Sequence, residues 1–276
     1  MRISTHTNNL HLDINGNKLL GQRINLGKAR IDSAHKAAVS AVDTLSGNRA
    51  AYGGALEAAY AGTPGRQVVL GSTLAGNKAL AGGAIDDATD TLYVTATTLA
   101  GNSANLGGGI EVEGASFVYL RSSTLTGNTA RSGTGGAIDT YACGGGVVSY
   151  TTIAGNSSGL NLPCSNLEVT GSIIASSAPG PNCAGAAPHE AAGYNLDTGV
   201  SCAFARPTDM TAADPQLGPL AANGGPTLTR APGTGSPAID HGGTRATGCP
   251  ATDQRGVPRP QGPACDIGAV EVRASG

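Results

Sequence analysis

A five-residue motif, Thr-Leu-x-Gly-Asn, returns along the first part of the chain and limits its fold more than any other feature. It reads Thr44-Leu45-Ser46-Gly47-Asn48, Thr73-Leu74-Ala75-Gly76-Asn77, Thr98-Leu99-Ala100-Gly101-Asn102, Thr124-Leu125-Thr126-Gly127-Asn128 and Thr152-Ile153-Ala154-Gly155-Asn156. Its asparagines recur every 25 to 29 residues. Four units carry a second block: Gly53-Gly54-Ala55-Leu56, Gly82-Gly83-Ala84-Ile85, Gly107-Gly108-Gly109-Ile110 and Gly135-Gly136-Ala137-Ile138. Both apolar stretches are too short and too rich in glycine for helices, so each unit predicts short strands joined by corners.

Strands at fixed phases of such a period make one coil of a solenoid, each pairing in parallel with its counterpart about 4.8 Å along the axis. The expected fold is all-β: a right-handed parallel β-helix with a loop-rich, disulfide-stapled C-terminal cap. A leucine-rich horseshoe would need Leu-x-x-Leu-x-Leu spacing, which is absent. Asn48, Asn77, Asn102, Asn128 and Asn156 are expected as structural corners, since Gly and Asn both tolerate left-handed backbone and stacked amides can bond along the axis. The composition agrees. With 43 glycines and 3% aromatic residues, the chain lacks material for a conventional core of this size, whereas a coil needs only a thin aliphatic layer.

Residues 1–43 alternate weakly and are expected to form irregular first coils and an N-terminal cap. The regular coils span 44–177. From 178 to 276, Pro, Gly and Cys rise, which predicts irregular last coils and an end piece covering the final coil. A formal net charge of −2 gives no field for nucleic acid, and no apolar run is long enough to span a bilayer.

All six cysteines lie in the second half, without the CxxC spacing of zinc or redox motifs. Pairing of sequence neighbours, Cys143–Cys164, Cys183–Cys202 and Cys249–Cys265, closes three short loops and is the expected framework. Disulfides imply an oxidising compartment outside the cytoplasm. The first twenty residues show no secretory signal, in tension with that inference; the cysteines are given the greater weight.

An acid stands directly after each Gly-Gly block: Glu57, Asp86, Glu111 and Asp139. Strand alternation turns these acids outward and stacking sets them on one face, with like charges raising one another's pKa. Three readings follow: a solvated edge that keeps the rod soluble, a Ca²⁺ strip, or catalytic carboxylates. The Ca²⁺ candidates are Asp86, Asp87, Glu111, Glu113 and Asp139, with Asp90 nearby, because Ca²⁺ takes six to eight oxygens. As catalysts, carboxylates on adjacent coils approach the roughly 5–5.5 Å of a retaining glycosidase, and those two coils apart approach the roughly 6.5–9.5 Å of an inverting one. A lyase would also need a base, and Arg49, Lys78, Arg121 and Arg131 share no phase. His6, His11, His35, His189 and His241 are scattered and suggest no zinc site. Tyr60, Tyr93, Tyr119 and Tyr141 follow the acids at unequal offsets and predict no single ladder. Tyr93 and Tyr119 are the candidate sugar-stacking residues.

The tail carries five ordered motifs: Asp214-Pro215-Gln216-Leu217-Gly218-Pro219-Leu220, Asn223-Gly224-Gly225-Pro226-Thr227, Gly235-Ser236-Pro237-Ala238-Ile239-Asp240, Asp253-Gln254-Arg255-Gly256-Val257-Pro258-Arg259-Pro260 and Cys265-Asp266-Ile267-Gly268-Ala269-Val270-Glu271. These resemble bacterial choice-of-anchor Q domain proteins. The upstream repeats resemble those of polymorphic outer-membrane proteins, so the resemblance covers about 44–271. It implies a bacterial right-handed β-helix that is secreted or surface-displayed, with no catalytic residues to carry over. No anchoring segment is expected within the chain. Asp240, Asp253, Arg255, Asp266 and Glu271 are expected to tie the cap together through Arg–carboxylate pairing.

The favoured expectation is a non-catalytic adhesion or carbohydrate-binding module whose partner is a polysaccharide or a host or cell-surface glycan. The alternatives are a polysaccharide hydrolase or lyase and a purely structural rod.

Overall fold

The computed structural model describes residues 2–6, 9–13, 30–32, 37–41, 44–58, 66–88, 91–114, 116–164, 166–175, 177–189 and 193–273. Tyr60, Asp90 and His35 lie outside them. The chain folds as a parallel β-solenoid whose coils each contribute one strand to three sheets. The first sheet contains Ala37–Ala41, Arg66–Leu70, Thr91–Thr95, Phe117–Arg121, Gly145–Ser149 and Leu167–Thr170. The second runs from Thr44–Ser46 through the Thr-Leu strands to Met210–Thr211. The third contains Leu56–Ala58, Ile85–Asp87, Ile110–Val112, Ile138–Asp139, Leu160–Leu162 and Cys183–Gly185.

The register is that of the repeat. Leu74 pairs with Leu45 and Leu99, and Ile110 with Ile85 and Ile138. These side chains stack into one continuous apolar interior. Burying each such side chain contributes about 1.5–3 kcal/mol, which offsets the ordering of a glycine-rich chain. Arg30–Asp32 pairs antiparallel onto Ala37–Ala41 and so blunts one edge of the first sheet.

The Gly-Asn corners divide their labour. Glycine takes the left-handed conformation, as at Gly76 and Gly101 (φ 64° and 63°), whereas the asparagines do not. The expectation that both share it is corrected here: each asparagine instead turns inward and bonds. The Nδ2 groups of Asn48, Asn77, Asn102 and Asn128 donate to the Oδ1 of the next asparagine, all at 2.9 Å. A second ladder, not read from the sequence, occupies the opposite corner. There Thr97 Oγ1 accepts from Ser72 N, and Ser123 Oγ accepts from Thr97 N. Its signal is the hydroxyl residue that precedes Thr73, Thr98, Thr124 and Thr152.

The three disulfides join sequence neighbours, as expected. The end piece has two parts. Phe204 and the Cys183–Cys202 bridge plug the apolar interior at the last coil. The rest of the tail then returns along the outer face of the second sheet as a strap. Gln254 Nε2 donates to Thr98 Oγ1 at 3.0 Å while its Oε1 accepts from Thr124 Oγ1 at 2.6 Å. Further along, Ala269 N donates to Thr152 Oγ1, and Tyr150 donates its hydroxyl to Gly242 O.

The charged tail residues are internal fastenings. Asp253 accepts from Arg255 Nε, from the N–H groups of Arg255 and Val257, and from Glu271 N. Arg259, fully buried, lies 3.4 Å from Glu271 and donates to the carbonyls of Asp266 and Gly268. Asp266 accepts from Asp240 N and Val272 N. Burial raises the carboxyls of Asp266 and Glu271 above their usual range. Among the described residues, no helix is long and apolar enough to cross a membrane.

Candidate functional site

The acids fall in register along the third sheet, Glu57 beside Asp86, Asp86 beside Glu111, and Glu111 beside Asp139. Asn161 takes the next place and donates Nδ2 to both Asp139 oxygens, at 3.1 and 3.2 Å. The expected solvated edge is overturned at three of these positions. Glu57 is half-exposed, but Asp86, Glu111 and Asp139 retain only 2%, 1% and 1% of their surface. Part of the cause lies in the preceding turn. Gly135 curls back so closely that a Cβ there would sit 2.7 Å from Asp139 Oδ2.

Burial has electrostatic consequences. Asp86 is pushed up to about 7 by desolvation and then by the charges of Glu113, Glu57 and Asp87. Glu111 reaches about 8 by desolvation, with Asp139, Asp86 and Glu113 adding to it. Asp139 rises to about 6, desolvation outweighing its bond from Asn161. Asp86 Oδ1 and Glu111 Oε2 have no hydrogen-bond partner.

This row does not make the expected Ca²⁺ strip. Among the described residues no three of its acids converge so as to hold an ion. Alternation explains Asp87, which pairs with Val112 and so belongs to the inward row, opposite Asp86. Glu113 follows the strand and is half-buried, its N–H bonded to Asp87 O. As catalysts, Asp86, Glu111 and Asp139 have raised carboxyls but no open cleft, because solvent scarcely reaches them. Of the four candidate bases, Arg49 and Lys78 do share a phase, bridged directly after ladder asparagines. Arg121 lies on the first sheet and Arg131 on an exposed turn.

The tyrosines lie elsewhere. Tyr93 and Tyr119 pair on the outward face of the first sheet, one turn along the chain from the acid strands. Their rings do stack, with centroids 4.9 Å apart and planes within 10°. Arg66 lies over the other face of Tyr93, its guanidinium carbon 4.2 Å from the centroid. Both faces of Tyr93 are therefore occupied, and the second face of Tyr119 turns toward the next coil, where Val147 is its partner. Phe117, not singled out from sequence, projects beside it. Phe117 and Tyr119 keep 47% and 39% exposure on a strand that alternates regularly out and in; this period-two pattern was the available signal. Tyr141 sits on an exposed turn.

Two features thus define the molecule: a parallel β-solenoid strapped by its own tail, and one sheet face bearing exposed aromatics. Compared with protein-family models, curated proteins and solved structures, the chain matches none.

Proposed function

We propose that this chain is a secreted or surface-displayed, non-catalytic module of a bacterial surface that binds carbohydrate through the outward face of the first sheet. The observation that carries the reading is the exposed ring of Tyr119 beside exposed Phe117, in a chain with only 3% aromatic residues. Aromatic rings accept the C–H faces of sugars, and Thr91, Thr95, Ser149 and Thr170 set hydroxyls among them on the same face. Three disulfides support an oxidising location. The burial of Asp86, Glu111 and Asp139 favours binding over hydrolysis, since a glycosidic oxygen must touch its general acid.

The test is a polysaccharide and glycan panel followed by calorimetry. Tyr119→Ala and Phe117→Ala should each weaken binding by about tenfold or more with the fold retained, Tyr119→Ala losing in stability only the stacking on Tyr93, about 0.5–1.5 kcal/mol. Release of reducing ends or unsaturated products from the bound glycan would overturn the non-catalytic reading, and unaltered binding by Tyr119→Ala would overturn the site.

A further inference from the structure

The aromatic face is stepped. On the strand Phe117–Arg121 the three outward side chains, Phe117, Tyr119 and Arg121, are all exposed. Their partners one coil on are Gly145, Val147 and Ser149, which are far shorter. One coil further, Glu168 and Thr170 rise opposite Val147 and Ser149. Phe117, Tyr119 and Arg121 on one side and Glu168 on the other flank the low strand and enclose a trough about 9.6 Å between its walls, two interstrand spacings, with the short Thr170 leaving it open beside Ser149. That width admits one sugar ring lying along the strand direction.

Tyr93 covers one face of Tyr119, so the second face of this part-exposed ring looks over the short Val147 into the trough. Arg121 stands two residues further along the same wall, about 7 Å away. It is exposed and makes no ion pair with any described residue. A neutral glycan would meet this guanidinium only with single hydroxyl acceptors, whereas a carboxylate would also match its charge and accept its planar fork in a bidentate pair. The only acid in the opposing wall, Glu168, pairs with Val147 rather than with Ser149, and so stands across from Tyr119 and diagonal to Arg121. There it can accept sugar hydroxyls.

We infer that the trough between Phe117–Tyr119–Arg121 and Glu168–Thr170 binds an acidic glycan, with a sugar ring stacked on Tyr119 and the carboxylate of that or the adjacent sugar held by Arg121. This rests on the carbohydrate-binding reading above and adds the charge of the ligand and the residue that selects it.

The experiment uses the full chain and a panel of uronate- and sialate-containing oligosaccharides, each paired with its methyl ester, so that charge alone changes. The acid form of at least one pair should bind about tenfold or more tightly than its ester. That preference should vanish in Arg121→Gln while residual binding to the ester stays, and added salt should weaken only the acid form. If acid and ester bind alike and Arg121→Gln changes nothing, while Tyr119→Ala abolishes both, the charge assignment is wrong and the carbohydrate reading stands. If no pair binds, the acidic ligand is wrong and the carbohydrate reading falls only if the neutral glycans of the panel above fail as well; if Tyr119→Ala leaves binding intact, both are wrong. The melting curve of Arg121→Gln should match the parent, since the side chain is exposed, and that of Tyr119→Ala should fall only by the lost stack on Tyr93; Tyr119→Phe, which keeps the stacking ring, should restore both stability and binding.

Discussion

Asn102 gives both its backbone N–H and its Nδ2 to one oxygen, Oδ1 of Asn128, at 3.0 and 2.9 Å. Its Nδ2 also donates back to Leu74 O at 2.9 Å. One buried amide thus satisfies a corner that glycine has bent away from the strand ladder, and the same arrangement continues to Asn156.

Removing a central rung should therefore cost far more than removing the end one. Asn128→Ala leaves two donors of Asn102 and the carbonyl of Leu99 unmet in the interior, and should lower stability by about 3 kcal/mol. Asn48 is half-exposed at the start of the ladder, so Asn48→Ala should cost about 1 kcal/mol. Urea unfolding of the two variants measures the difference; equal losses would mean that the amides do not act as a ladder.

The buried acids predict an inverse dependence of stability on pH. Asp86, Glu111 and Asp139 have folded values near 7, 8 and 6, above their ordinary 3.8, 4.5 and 3.8. Their favourable contribution is complete below the unfolded values, near pH 4, and disappears as pH rises through the folded ones. Melting temperature should fall between about pH 4 and 8. Glu111→Gln should flatten much of that slope and be the more stable protein at the alkaline end. A parent curve that rises with pH over this window would refute the assignment.

Two glycines separate strain from collision. Gly76 has φ 64° and open space around it, so Gly76→Ala should cost about 1–2 kcal/mol through backbone conformation alone. At Gly83 a Cβ would lie 2.1 Å from Gly108 O and 2.7 Å from Ser103 N. Neither backbone atom can withdraw without parting two coils, and Gly83→Ala should cost about 3 kcal/mol or more. Thermal melts compare the two, with the reverse order counting against this packing.

The coils, the alignment of the acids and the disulfide partners were legible because each depends on local period or on neighbours in sequence. The burial of Asp86 and Glu111 was not, since alternation tells which way a side chain points but not what lies over it. That Tyr93 and Tyr119 stack on one another was not legible, for a definable reason. Counted from the acids they are out of phase, yet the link from Asp86 to Thr91 is one residue shorter than that from Glu111 to Phe117, and each tyrosine is the third residue of its strand. The path of the tail was also hidden, because Gln254 meets Thr98 and Thr124 across 156 and 130 residues and no periodic signal marks such contacts.

That path has a consequence for how such a rod can change. In a solenoid each repeat touches only its neighbours, so whole repeats can be duplicated or lost with local effects. Here the returning tail acts as a ruler, its marks set against Thr98, Thr124, Thr152 and Gly171 in turn. Inserting a coil between the first and last mark would leave the ruler about 4.8 Å short. Length is thereby fixed in the strapped part of the molecule, and any growth by repeat duplication is confined to the coils before Thr98.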